Sequence, residues 1–218
     1  MTRPLPASAS VASRTEGAKL HAPAAARNLE ALCDLLRAHA PDTGTALELA
    51  SGTGQHVVGF ATALPGVIWQ PTEPDATRRA SIDAYAAEAG ASNIAPAAHL
   101  DATAPGWGAA QHPKNMVLLI NLLHLISAPE AQVLLQEAAI ALAPGGSLML
   151  YGPFKRDGRL TSDGDARFDA DLRASDPDIG YKDVREIETW LQRSGLTAIQ
   201  TRDMPANNLA FIARRVGP

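Results

Sequence analysis

The chain has 218 residues, of which 46% are hydrophobic and 19% are charged, and its formal net charge at pH 7 is -4. These values are typical of a globular protein long enough for one sizeable domain with its own core. The acidic balance disfavours a nucleic-acid partner, and no apolar run is long enough to span a membrane. Because the N-terminus also lacks the apolar core of a signal peptide, the sequence predicts a cytoplasmic protein.

Cys33 is the only cysteine of the sequence, and Leu29, Leu32 and Leu36 surround it at helical spacing. A single cysteine can form neither a disulfide nor a cysteine-based zinc site within one chain. We therefore expect Cys33 to be a small core residue, and the sequence predicts no metal site.

The first 20 residues are rich in alanine and serine and weakly patterned, so the sequence predicts a mobile N-terminal tail at 1–20. We expect the rest, 21–218, to form a single domain. Its first half alternates predicted helices and strands: helix 23–38, strand 46–50, helix 55–64, strand 67–72, helix 76–89 and strand 94–100.

In the second half, the continuous apolar run at 116–122 is typical of a central strand in a parallel sheet. Ser127 and Glu130 form a capping box that begins the next helix. A strand, a helix and a terminal hairpin follow at 147–152, 183–194, 196–202 and 209–214. This order predicts an α/β fold with a seven-stranded, mostly parallel sheet and a C-terminal antiparallel hairpin, which is similar to the Rossmann-like class I methyltransferase fold.

A glycine-rich turn, Ala50-Ser51-Gly52-Thr53-Gly54-Gln55, joins the first predicted strand to the helix that follows it. Glycine allows a sharp bend and a close ligand, and the helix N-terminus beyond it presents free N–H groups. The turn therefore predicts a nucleotide-like cofactor. The dinucleotide motif needs a third glycine where this chain has Val57, and no Walker A lysine follows, which disfavours NAD, FAD and nucleoside triphosphates.

The methyltransferase pattern, an acidic residue followed by three glycines at alternate positions, fits this turn better. Glu48, Gly52 and Gly54 match it, and Ala50 replaces the first glycine, which we expect to be tolerated if Ala50 keeps a negative φ. The cofactor-binding residues predicted here are Glu48, Ala50, Ser51, Gly52, Thr53, Gly54 and Gln55.

Acidic and polar residues also end the neighbouring strands. Glu73 follows the second predicted strand, where a carboxylate can accept hydrogen bonds from both ribose hydroxyls of a nucleoside, and Asp75 is the alternative. Asp101, next to Ala102, is placed to meet the adenine amine, and Asn121 ends the fourth strand. The competing interpretation is that the carboxylates only cap nearby helices.

Seven segments follow one another in a specific order after residue 22: Pro23-Ala24-Ala25-Ala26-Arg27-Asn28, Ala50-Ser51-Gly52-Thr53-Gly54-Gln55-His56, Trp69-Gln70-Pro71-Thr72-Glu73-Pro74-Asp75, Ile120-Asn121-Leu122-Leu123-His124-Leu125-Ile126-Ser127, Tyr151-Gly152-Pro153-Phe154, Asp176-Pro177-Asp178-Ile179-Gly180 and Met204-Pro205-Ala206-Asn207-Asn208. Read together, they resemble the family catalogued as domain of unknown function 938, whose animal members are called methyltransferase-like protein 26. The resemblance implies a class I fold and S-adenosylmethionine binding, and it implies no particular substrate.

Polar and aromatic residues at the predicted carboxyl ends of the strands are the candidates for chemistry, because doubly wound sheets bind ligands there. His124 is the candidate general base, unless it only packs at a strand–helix junction. Tyr151 is a second candidate catalytic residue that would orient the substrate, unless it is an ordinary strand-end aromatic. The candidate substrate-binding residues are Arg27, Asn28, His124, Tyr151, Phe154, Asn207 and Asn208.

The polar segment 153–182 is too long for a simple connection in a compact domain. Phe168 and Leu172 are four residues apart, a spacing that predicts a short helix within it. We expect this segment to be a substrate lid, although a solvated surface excursion is the alternative.

These features predict an S-adenosylmethionine-dependent methyltransferase that acts on a small molecule and leaves S-adenosylhomocysteine as its product. A methyltransferase for RNA or protein is one alternative. A non-catalytic cofactor-binding or scaffolding protein is another, because the sequence contains no unambiguous catalytic constellation.

Overall fold

The computed structural model describes residues 5–6, 9 and 11–217. In chain order the described strands are β1 (Ser13–Arg14), β2 (Leu20–His21), β3 (Gly44–Leu49), β4 (Val67–Pro71), β5 (Lys114–Ile120), β6 (Leu142–Pro153), β7 (Leu196–Asp203) and β8 (Asn208–Arg215). The helices are α1 (Pro23–His39), α2 (Gln55–Ala63), α3 (Ala76–Glu88), α4 (Gly108–Gln111), α5 (Ala128–Ala141), α6 (Asp163–Ser175) and α7 (Val184–Arg193). A short 3₁₀ helix, Leu123–Leu125, precedes α5.

The central sheet has the strand order β4-β3-β5-β6-β8-β7. Strands β3 to β6 pair in parallel, whereas β8 runs antiparallel to both β6 and β7. The predicted α/β class, the mostly parallel sheet and the C-terminal antiparallel hairpin are therefore confirmed. The parallel strands direct their carboxyl ends to one edge of the sheet, which is where such folds bind ligands.

Side chains alternate along the central strands and build a core on each face of the sheet. Leu47, Val117 and Leu148 belong to the core that α5 and α7 cover, while Met116 and Met149 belong to the core beneath α1 and α2. This alternation is the period of two expected for a strand that is buried on both faces. No helix in the described ranges is long and apolar enough to cross a lipid bilayer.

The number of strands in the main sheet differs from the sequence expectation. The expected strand at 94–100 appears only as isolated bridges, Trp69 with Ile94 and Thr72 with Ala98, so the main sheet has six strands rather than seven. Pro71 of β4 has no N–H group to donate to this neighbour, and the Ala97 N–H donates to Asp83 Oδ1 at 2.8 Å, which interrupts a continuous ladder.

The predicted tail at 1–20 falls partly outside the described residues. Within its described part, β1 and β2 pair as a two-stranded antiparallel sheet, with Ser13 opposite His21 and Arg14 opposite Leu20. Its mobility stays a prediction, but this part of the chain has a defined place beside the domain.

The segment 153–182 contains α6, as the spacing of Phe168 and Leu172 predicts. Leu172 is fully buried and packs with Ile179 and Tyr181 in a small separate cluster. Asp169 holds the segment from inside, because its carboxylate accepts hydrogen bonds from the Tyr181 N–H at 2.6 Å and from Arg173 Nε at 2.9 Å. Its role as a lid stays a prediction.

Candidate functional site

A cavity of about 680 Å³ lies where β3, β4 and β5 end, and it is lined by residues that directly follow these strands. Eight predicted cofactor-binding residues line it: Ala50, Ser51, Gly52, Thr53, Glu73, Asp101, Ala102 and Asn121. Of the predicted substrate-binding residues, Arg27 is part of this wall. Glu48, Gly54, Gln55 and Asp75 lie outside the described lining.

The glycine-rich turn has a left-handed backbone conformation at alternate residues, Ala50, Gly52 and Gly54. Ala50 has a φ of 50°, so the expectation of a negative φ at the replaced glycine is wrong. Gly52 has a φ of 61°, and the nearest atom to a Cβ at this position would be Arg78 Nη1, at 3.8 Å. A side chain at residue 52 would therefore meet little protein and would occupy ligand space instead.

Gly54 serves the packing of the fold rather than the cavity. It is the N-cap of α2 with a φ of 92°, and a Cβ here would lie 2.6 Å from the Ile82 Cα atom in α3. Gln55 has a similar supporting role, because its Oε1 accepts hydrogen bonds from the Ala22 N–H at 2.6 Å and from Thr53 Oγ1 at 3.0 Å.

Glu73 is fixed on the cavity wall by the turn that it faces. Its side chain is buried, and Oε2 accepts a hydrogen bond from the Gly52 N–H at 3.0 Å. Burial raises the pKa of the Glu73 carboxyl, while the Arg78 guanidinium opposes that shift. Asp75, the alternative in the sequence, instead caps α3 by accepting a hydrogen bond from the Arg78 N–H at 2.8 Å.

Glu48 is buried beneath the turn, with only 1% of its surface exposed. Burial raises its pKa to about 8, with a further increase from Glu73 that a hydrogen bond from Ser51 offsets. The Oε2 atom of Glu48 has no hydrogen-bond partner among the described residues. Glu48 therefore supports the turn as a neutral carboxylic acid at pH 7 and does not face the cavity.

Two further lining residues, Asp101 and Asn121, come later in the chain than the turn and Glu73. Asp101 is exposed, and its Oδ1 accepts hydrogen bonds from the Thr103 N–H at 2.9 Å and from Thr103 Oγ1 at 2.6 Å. Asn121 ends β5 in a left-handed conformation with a φ of 55°, and its N–H donates to the Tyr151 carbonyl at 2.8 Å. Both hydrogen bonds of the Asp101 carboxylate involve Oδ1, and Asp101 is part of the cavity wall.

Four residues form a buried hydrogen-bond chain behind the cavity. His56 Nε2 lies 2.7 Å from Asn28 Oδ1, and the Tyr151 side chain is hydrogen-bonded to both Asn28 and Asn208. Burial raises the pKa of the Tyr151 phenol and lowers that of His56 to about 4. Of these four residues, His56 is part of the described cavity wall and the other three are not, so the substrate-binding role expected of Asn28, Tyr151 and Asn208 stays a prediction.

His124, Phe154 and Asn207 also lie outside the described cavity wall, for different reasons. The buried His124 ring has edge contacts with Phe168 and Tyr181 at centroid distances of 5.7 and 6.0 Å. Burial and, to a smaller extent, the charge of nearby Lys182 lower its pKa to about 3. This placement favours packing over the expected role as a general base.

Phe154 is 2% exposed and packs edge-on against Phe211 in the core, with ring centroids 4.9 Å apart. Asn207 is exposed, and its Nδ2 donates to Asp165 Oδ2 of α6 at 3.3 Å. Neither side chain is part of the described cavity wall, so the substrate-binding role expected of both stays a prediction.

Several lining residues were not singled out from the sequence, among them Val11, His56, Arg78, Leu122 and Leu125. Leu122 and Leu125 closely follow the end of β5, so their place in the chain was a usable signal. Val11 carries no such signal, because its position depends on how the chain before α1 folds back over the sheet.

Three solved structures with a similar fold are larger than this chain. An O-methyltransferase family protein from Burkholderia thailandensis superposes with a TM-score of 0.74 at 18% identity, over 86% of this chain and 56% of that one. An O-methyltransferase family 2 protein from Planctomyces limnophilus, solved with apigenin, gives 0.76 at 18% identity, over 88% and 58%. Human N-acetylserotonin methyltransferase, solved with S-adenosylmethionine, gives 0.66 at 14% identity, over 86% and 55%.

This chain therefore spans little more than half the length of the solved structures that it matches, and at these identities the likeness concerns the fold, which is that of class I methyltransferases. The model of one sequence family, described as a protein of unknown function, DUF938, matches residues 19–215. That match includes the glycine-rich turn, Glu73, Asp101 and Asn121. The chain belongs to the DUF938 family.

Proposed function

We propose that this protein is an S-adenosylmethionine-dependent methyltransferase that acts on a small-molecule acceptor. The observation that carries the proposal is the pairing of Glu73 with the glycine-rich turn on the cavity wall, through the 3.0 Å hydrogen bond from the Gly52 N–H. This bond holds a buried carboxylate at the end of β4, next to backbone that a ligand can approach closely.

The residues of the wall match the chemistry of the cofactor. Carboxylates accept hydrogen bonds from hydroxyl and amine donors, so Glu73 suits the ribose hydroxyls and Asp101 suits the adenine amine. Leu100, Leu122 and Ile126 line the same cavity and suit the faces of a purine. The backbone and small side chains at Ala50, Ser51, Gly52, Thr53, Ala102 and Asn121 complete the proposed cofactor site.

The cofactor supplies an activated methyl group carried on a sulfonium. The contribution of this chain is to bind, orient and desolvate, because transfer from such a donor mainly needs close, collinear approach of the nucleophile. His56 lies on the described wall, and the hydrogen bond between its Nε2 atom and Asn28 Oδ1 fixes the orientation of its ring. His124 has no part in this proposal, because it is enclosed by Phe168 and Tyr181.

A small acceptor is supported by the shape and composition of the cavity. Its volume of about 680 Å³ lies within the range of small-molecule sites, and apolar side chains make up much of its lining. The related fold from Planctomyces limnophilus was solved with apigenin, a small aromatic compound.

Calorimetric titration with S-adenosylhomocysteine tests the cofactor site directly. We expect saturable binding to the wild type. The affinity of Glu73→Ala should be at least about 100-fold lower, because the substitution removes the carboxylate that accepts hydrogen bonds from the two ribose hydroxyls. Gly52→Val should abolish binding, because its side chain would fill ligand space.

Asp75→Ala is the matched control, because it removes a carboxylate two residues away that caps α3 and lies outside the described wall. We expect it to lower the free energy of unfolding by about 0.5–2 kcal/mol and to leave the affinity for S-adenosylhomocysteine unchanged. Wild-type affinity in both Glu73→Ala and Gly52→Val would exclude the proposed site.

A further inference from the structure

The part of the chain before α1 lies along the cavity. Its described residues between 5 and 22, which we call the N-terminal segment, contribute Leu5, Ala9, Val11, Ala12 and Ala22 to the lining. The match to the family model begins at residue 19, so four of these five lining residues precede the matched region. The cavity is therefore completed by residues that the family resemblance does not include.

Two hydrogen-bond bridges tie the end of this segment to the glycine-rich turn. The Leu20 N–H donates to Ser81 Oγ at 2.8 Å, and Ser81 Oγ in turn donates to the Thr53 carbonyl at 2.7 Å. The Ala22 N–H and Thr53 Oγ1 both donate to Gln55 Oε1. Ser81 is 0% exposed, so its hydrogen bond to the Thr53 carbonyl is shielded from water.

The beginning of the segment contacts the opposite side of the cavity. Ala9 packs against the cluster of Leu172, Ile179 and Tyr181, as does Leu125, which also lines the cavity. The N-terminal segment therefore extends from α3 and the glycine-rich turn at one end to the α6 region at the other.

Two large apolar side chains of the segment stay exposed although they line the cavity. Leu5 is 37% exposed and Val11 is 55% exposed. Exposed apolar surface on a concave wall gains free energy when a ligand covers it. The adjoining wall holds Glu73, Gly52 and Asp101, so a ligand bound to those polar groups would come against these side chains.

We propose that the N-terminal segment is an integral part of the cofactor site, in which Leu5 and Val11 cover the bound cofactor and slow its release. This inference rests on the proposed function and adds binding residues to it. The two bridges hold the N-terminal segment against the glycine-rich turn, so both belong to one wall of the cavity. Loosening either bridge should therefore speed release of the cofactor.

The test compares rates of S-adenosylhomocysteine release, measured by surface plasmon resonance on the full-length protein. We expect the double variant Leu5→Asn/Val11→Asn to release the ligand about tenfold faster than the wild type, because apolar contact with the ligand is lost without a change in charge. Both positions are exposed, so the melting temperature should stay at the wild-type value.

Ile68→Asn is the matched control. Ile68 is 57% exposed on β4, close to the exposure of Val11, and lies outside the described cavity wall. We expect its release rate to equal that of the wild type. Equal rates in the wild type and the Leu5→Asn/Val11→Asn variant would overturn the inference.

Ser81→Ala distinguishes the cover from a general effect on the turn. If Ser81 acts through the N-terminal segment, Ser81→Ala accelerates release severalfold in the wild-type background and less than about twofold in the Leu5→Asn/Val11→Asn background. The same acceleration in both backgrounds would contradict the inference. Failure of the wild type to bind S-adenosylhomocysteine at all would refute the proposed function itself, so the two outcomes are distinguishable.

Discussion

Glu48 illustrates how burial determines the protonation state of a motif residue. Its raised pKa of about 8 means that the folded chain retains a proton at Glu48 over a pH range in which the unfolded chain, with an ordinary value of 4.5, has lost it. Stability from this group is complete below pH 4.5 and decreases as the pH rises towards 8. The buried His56 and His124 have the opposite effect. Because their pKa values are lowered, the free energy of unfolding decreases as the pH falls below about 6.5.

We expect Glu48→Gln to remove the loss of stability that Glu48 causes as the pH rises from 4.5 towards 8. Between pH 6.5 and 8, the free energy of unfolding of the variant should increase relative to the wild type by up to about 1.4 kcal/mol per pH unit, the limit for one proton. Urea denaturation at several pH values measures the difference. Glu30→Gln, on an exposed position of α1, is the control, and parallel curves for Glu48→Gln and the wild type would contradict the prediction.

Tyr151 shows why a polar side chain at a strand end need not contact a ligand. Its hydroxyl is bonded to Asn28 and Asn208, and its ring is buried within the core beneath α1. Buried polar groups are costly unless they are hydrogen-bonded, so the three side chains depend on one another.

We expect Tyr151→Phe to lower the free energy of unfolding by about 1–3 kcal/mol, because the amides of Asn28 and Asn208 lose a buried partner. The affinity for S-adenosylhomocysteine should remain unchanged. Tyr85→Phe on α3 is the control with the same change of atoms and little expected effect on stability. Weakened ligand binding with unchanged stability would instead support the role that the sequence predicts for Tyr151.

At the scale of elements, the glycine-rich turn divides its functions between its two glycines. Gly52 lines the cavity, whereas Gly54 begins α2 and allows α2 to lie against α3. The sequence predicts both as ligand-binding, because spacing along the chain carries no information on how closely two helices approach each other.

We expect Gly54→Ala to destabilise the fold more than Gly145→Ala. Both glycines have a positive φ, of 92° and 76°, but a Cβ at Gly145 would have no atom within 4 Å. Gly145→Ala should therefore cost about 1–2 kcal/mol from backbone strain alone, and Gly54→Ala about 1–3 kcal/mol more from the collision with Ile82. Equal losses in chemical denaturation would show that the packing of α2 on α3 adjusts freely.

The helices and strands with strong periodicity were predictable from the sequence, but the interruption of the expected strand at 94–100 was not. The apolar run of β5, the capping box of Ser127 and Glu130 and the amphipathic α6 are local signals that the structure confirms. The expected strand at 94–100 does not form a continuous ladder with β4, because Pro71 of β4 lacks an N–H group and the Ala97 N–H donates to Asp83.

At the scale of the whole molecule, the cavity joins parts of the chain that are far apart in sequence. Its wall combines the N-terminal segment, the ends of three parallel strands and the first turn of α5. A ligand that binds only this assembled wall stabilises the folded state by mass action.

S-adenosylhomocysteine at about 100 times its dissociation constant should therefore stabilise the wild type by about 2.7 kcal/mol and raise its melting temperature by about 5–10 °C. Differential scanning calorimetry measures this shift. At the same ligand concentration we expect a shift of no more than about 1–2 °C in Glu73→Ala, because its affinity is at least about 100-fold lower. An equal shift in the two proteins would mean that the ligand binds elsewhere.

The sequence by itself determined the α/β class, the terminal hairpin, the glycine-rich turn and the carboxylates that end the strands, because periodicity, turn chemistry and strand ends are local properties of the chain. Only the tertiary structure decided which of these residues share a wall. It placed Glu73 against Gly52, enclosed His124 and Tyr151, and brought Val11 to the cavity. These outcomes depend on the packing of distant segments, which no local pattern specifies.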